Sequence, residues 1–133
     1  MAQVVVHIQS KHNEELIDIT EKLKEIASVH PEAQLMAVFA KGATAGIIIQ
    51  ENWDPNIPKD ILSCLKQLVP SGQWLHDQVD HNGDAHIKAG MVGASETIPL
   101  SKGEMLLGTW QNVFFADFDG PRRDREVIIT LLP

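Results

Sequence analysis

The sequence predicts one α+β domain of mainly antiparallel β-sheets, with about seven strands and two to three helices. Strand-like runs recur between short turns, four of them after residue 95. Two stretches, 20–29 and 58–69, carry apolar residues at helical spacing instead. No linker or composition shift divides residues 1–133, so the whole chain reads as a single domain with one core.

Residues 3–9 form a first strand, rich in valine. Residues 13–19 fit neither period. Thr20 is an expected N-cap for a helix to Val29, with Leu23, Ile26 and Ala27 on its apolar face. His30-Pro31 stops that helix, because a residue before proline avoids helical geometry. Residues 34–40 and 45–50 are strands, joined by Lys41-Gly42-Ala43-Thr44 either as a hairpin or as a functional loop. Residues 51–55 turn the chain into a helix over 58–69, where Ile57, Ile61, Leu62, Leu65, Leu68 and Val69 make an apolar stripe. Cys64 falls on that stripe and is expected in the core. A polar loop over 77–84 precedes a short helix over 85–92, with Asp84 near its N-cap. Strands then follow over 96–100, 104–107, 109–117 and 125–132.

A net charge of -7 argues against a general nucleic-acid binder, which would show a basic face. No apolar run approaches the roughly 20 residues of a membrane helix. The start of the chain lacks a basic region before its apolar run, so no signal peptide is expected. One cysteine cannot form an internal disulfide, which fits a reducing cytoplasm.

Three of the six histidines, His76, His81 and His86, are evenly spaced by five residues. An open catalytic metal site takes about three protein ligands, typically histidines with a carboxylate. His76 and His86 would supply two, with Asp84 or His81 as a third, around a divalent ion such as zinc or magnesium. Surface-loop histidines, with Asp84 merely capping a helix, are the plainer reading of the same residues. A helix opening at Ala85 would present free N–H groups to phosphate, and Lys88 would add a charge. A solvated lysine is the alternative. Ser95, Thr109 and Gln111 are further candidate ligand contacts. Glu51 and Asp54 are candidate proton-transfer groups, although Asp54 before Pro55 also suits a turn. Trp53, Trp74 and Trp110 read as core or interface fillers.

The run Gly108-Thr109-Trp110-Gln111, with Ser95, Ile98, Leu100 and Gly103 before it and Val113 after it, resembles the signature of the YjbQ-like family. Glu51-Asn52, Asp54-Pro55, Asp60, Trp74-Leu75-His76, Ala85-His86-Ile87-Lys88 and Phe118-Asp119-Gly120-Pro121-Arg122 extend the likeness in order. The resemblance implies a compact domain of antiparallel sheets and helices. It also implies a homotrimer with clefts between subunits, and metal at the histidines. It implies a secondary thiamine-phosphate synthase activity, joining a pyrimidine diphosphate to a thiazole phosphate with loss of pyrophosphate. The chain departs from the pattern at Gly42-Ala43-Thr44-Ala45, where many members carry His-Thr-Thr-Ala. Members of the glycine branch often have histidine where Asp84 stands. The expectation is thus a metal-dependent enzyme acting on a phosphorylated small molecule. The alternative is a non-catalytic metal- or ligand-binding oligomer.

Overall fold

The computed structural model describes residues 2–133. In chain order these form β1 (Ala2–Ile8), β2 (Glu15–Asp18), α1 (Thr20–Ser28), β3 (Leu35–Lys41), β4 (Ala45–Gln50) and α2 (Asn56–Leu68). A 3-10 turn (Leu75–Gln78) leads to α3 (Gly83–Val92), then β5 (Ser95–Ser101), β6 (Glu104–Met105), β7 (Asn112–Asp117) and β8 (Arg125–Leu132). The strands build two antiparallel sheets, ordered β1-β8-β3-β5-β6 and β2-β7-β4. The expected α+β class with antiparallel sheets is what the chain adopts.

Side-chain alternation explains how the sheets meet. On β8, Val127, Ile129 and Leu131 point inward and are buried, while Glu126, Ile128 and Thr130 face the other way. The inner faces of both sheets pack on each other through Met36, Val38, Ile47, Ile98, Val113 and Phe115, and α1 adds Leu23 and Ala27. Helices α2 and α3 cover the far side of the three-stranded sheet, where Ala85, Ala89, Ala116 and Phe118 form a smaller cluster. Among the described residues, no helix covers the far side of the five-stranded sheet. Val5 and Phe39, 47% and 42% exposed, lie there in register with Ile128 between them.

Several expectations need correction. β3 and β4 do not form a hairpin: they belong to different sheets, so the 41–44 turn carries the chain across the sandwich. Thr20 is the first helical residue, not the N-cap, and its hydroxyl accepts the Val113 N–H at 2.9 Å. Residues 13–19, which fitted neither period, include β2. Cys64 is exposed: the half-buried Leu62 and Leu65 are the α2 residues that pack on the cluster behind the three-stranded sheet, and Cys64 lies off that side. Thr109 and Trp110 precede β7 in a turn, and Trp110 meets Trp53 edge-on at 5.9 Å with both rings largely exposed. No helix of the described residues is long and apolar enough to cross a membrane.

Candidate functional site

The loop from Trp74 to α3 is tied together by Asp77. Its carboxylate accepts the Gly83 N–H at 2.8 Å and the Trp74 N–H at 3.0 Å. The N–H groups of Gly83 and Trp74 hold the Asp77 carboxyl below its ordinary range, against the opposing effect of desolvation. Trp74 is anchored in turn by its indole N–H, which donates to the Pro70 carbonyl at 2.6 Å. A Cβ at Gly83 would lie 2.7 Å from the Trp74 Cβ, so glycine is what lets α3 begin against that ring.

This bracing brings His76, on the 3-10 turn, to His86, on α3. Their rings meet edge-on with centroids 4.7 Å apart and planes at 78°. His76 is exposed and His86 half-buried. His81 lies between them in sequence but belongs to an exposed bend, with φ of 57°, beside Trp74 and Asp77.

Asp84 does not join the pair. Residues two apart on a helix do not share a face. Asp84 is buried beneath α3, where its carboxylate accepts from the Lys88 ammonium at 3.2 Å. Lys88 is 1% exposed and also donates to Glu14 at 2.7 Å. It is therefore neither a solvated helix lysine nor a free receptor for phosphate, a correction to both sequence readings. The expected N-cap role of Asp84 also falls, since α3 starts at Gly83 with Asn82 in the cap position. Among the described residues of one chain, no three His, Cys, Asp or Glu side chains converge to hold a metal.

The other candidates are dispersed. Glu51 and Asp54 shape the turn into α2: Glu51 accepts the Asp54 N–H at 3.3 Å, and Asp54 accepts the Asn56 N–H at 2.9 Å. Ser95 is exposed at the start of β5. Thr109 and Gln111 line a cavity of about 560 Å³ between α1 and the signature turn, with Thr20, Lys24, Met105 and Leu107. Gln111 closes that turn by accepting the Gly108 N–H at 2.8 Å.

Sequence reasoning missed a buried cluster at the opposite end of β7. Arg125 grips Asp117 through Nε at 3.0 Å and Nη2 at 2.7 Å, and Ser10 donates to the same carboxylate at 2.7 Å. Burial pushes the Asp117 carboxyl up, but the bonds from Arg125, Ser10 and the Asp119 amide outweigh it and hold the group low. Strand parity carried the signal: Asp117 shares a face with Val113 and Phe115, and Arg125 with Val127 and Ile129. Two residues beyond Asp117, Asp119 takes bonds from Asn82 and from Arg122, each at 2.8 Å.

Fold and geometry together define a small two-sheet α+β protein with two imidazoles paired on its helical layer. A family profile described as UPF0047 protein YjbQ-like matches residues 4–133, and the chain belongs to that family. A UPF0047 protein of Methanocaldococcus jannaschii is 41% identical over 126 residues, covering 94% of this chain and 90% of that one. UPF0047 protein YugU of Bacillus subtilis is 35% identical over 121 residues, covering 88% and 89%. A crystal structure from Sulfolobus solfataricus P2, described as a YbjQ-like protein of unknown function, superposes with a TM-score of 0.93 at 30% identity. It covers 98% of this chain and 95% of that one. A family structure from Clostridium acetobutylicum gives 0.90 at 37% identity, covering 97% and 99%.

Proposed function

We propose that this protein is a metal-dependent enzyme acting on a phosphorylated small molecule at the His76–His86 pair, with thiamine phosphate formation as a side activity. The observation that carries the reading is the convergence of the two imidazoles, 4.7 Å apart, on a loop braced by Asp77. Two nitrogen donors suit zinc better than magnesium, which prefers oxygen. They fall short of the three ligands that an open zinc site uses, so the fit within one chain is partial. A third donor would come from the ligand or a second copy. Bound there, the ion would act as a Lewis acid toward phosphate oxygen. The residues of the chain would orient the ligand: the braced 3-10 turn fixes His76, and α3 fixes His86.

The test is turnover. The pyrimidine diphosphate and the thiazole phosphate, supplied with zinc, should yield thiamine phosphate and pyrophosphate. His76→Ala should lower the rate by at least about tenfold, a loss of roughly 1.4 kcal/mol in transition-state stabilisation. Equal rates in the two proteins would overturn the assignment of the site.

A non-catalytic ligand-binding module is the second reading. The employment of Lys88, Glu51 and Asp54 in ion pairs and turns favours it, because none of them is left free beside the histidines. Binding without turnover would select it. We also propose a homotrimer. The outer face of the five-stranded sheet, with Val5, Leu35 and Phe39 exposed, supports self-association, and light scattering tests it.

A further inference from the structure

We propose that the 41–44 turn and the guanidinium of Arg125 form an oxyanion site that receives the phosphate group of the ligand. The proposal rests on the reading of a phosphorylated ligand given above, and moves phosphate recognition away from Lys88.

Arg125 is 7% exposed and held in one orientation. Its Nε and Nη2 bind Asp117, and Nη2 also donates to the Thr44 hydroxyl at 2.9 Å. Those bonds leave Nη1 with no protein acceptor among the described residues. Nη1 faces Gly42, where an added Cβ would lie 3.0 Å from it. Gly42 has no left-handed φ, so its contribution is the missing side chain. Gly42 and Ala43 are exposed, so the space over Nη1 opens to solvent.

The two cations at the turn, Arg125 and Lys41, each face one carboxylate, Asp117 and Glu126, so what is offered to an anion is the unused Nη1 donor of Arg125. Lys41 lies 3.6 Å from Glu126, with both side chains solvent-accessible. Asp117 occupies the Nε and Nη2 side of the guanidinium and leaves the Nη1 side to a ligand. A guanidinium donates well to phosphate oxygen, and one already locked by neighbours loses little entropy on binding.

The place in the fold also fits. Ala45, just after the turn, pairs with Asp117 at the end of β7. Asp119, two residues further, accepts from Asn82, and Asn82 immediately precedes the helix that carries His86. One strand end thus holds Arg125 through Asp117 and the start of α3 through Asp119. Lys88 is excluded as the phosphate receptor by its two carboxylate partners.

The experiment is titration of the full chain with inorganic phosphate and pyrophosphate, followed by calorimetry and by amide spectra. Phosphate should saturate the wild type and shift the amide signals of Gly42, Ala43 and Thr44 and the Arg125 Nε signal. Gly42→Ala, which places a methyl group against Nη1, should weaken binding about tenfold. Gly42→Ala should leave zinc uptake at His76 and His86 unchanged while losing phosphate affinity, so the two sites fail separately. No saturable binding, shifts confined to the start of α3, or a Gly42→Ala protein that binds phosphate as the wild type does would each overturn the proposal. The wild-type spectra decide the matter even if the variant does not fold.

Discussion

The Lys88 ammonium lies 2.7 Å from the Glu14 carboxylate, 74 residues away in the chain, in a site that leaves the lysine side chain 1% exposed. With Asp84 at 3.2 Å it joins α3 to the segment before β2. Removing one partner from such a buried pair leaves the others uncompensated, which costs about 3–5 kcal/mol. Lys88→Met should lower urea-unfolding stability by that amount. Lys24→Ala, which breaks only the exposed Lys24–Glu21 pair at 3.5 Å, should cost less than about 1 kcal/mol. Similar small losses in both variants would contradict the structural role of Lys88.

Asp117 predicts acid sensitivity. Its folded carboxyl is held below the ordinary value of 3.8, so its contribution is complete above that pH. The contribution is lost as pH falls through the lowered folded value, because the unfolded chain then binds the proton more readily. Stability measured against pH should fall through this acid range in the wild type, and more shallowly in Asp117→Asn. Parallel acid limbs would rule out Asp117 as a source of the fall.

Helix α2 should be the least protected helix. None of its 13 residues is fully buried, whereas α1 buries Thr20, Leu23 and Ala27. Amides of α2 are expected to exchange with solvent faster than those of α1. Cys64, exposed on α2, should react with a thiol reagent in the folded protein. A cysteine that reacts only after denaturation would place α2 differently.

Much of this fold was legible because periodicity reports burial. The spacing of Leu23, Ile26 and Ala27 in α1 places them on the inner side, and Leu23 and Ala27 are buried with Ile26 half-buried. Pairing was less legible. β3 and β4 are consecutive and both apolar on their inner sides, and nothing local says that the chain changes sheets between them. The stripe on α2 was read correctly as apolar, but its depth depends on what packs there, so Cys64 was misplaced. At the site, His76 and His86 were found from their residue types, and the structure brings their rings together. Lys88 was misread because its partner Glu14 is distant in sequence. Asp84 was misread because a helix, where a loop was expected, turns it away from His86.

The most direct test of the histidine site is the metal content of the untagged protein, purified without added metal and then titrated with zinc. The account predicts stoichiometric zinc binding by the wild type and its loss in His86→Ala, with the fold unchanged by circular dichroism. A wild type that takes up no stoichiometric zinc, or a His86→Ala protein that binds zinc as the wild type does, would contradict it.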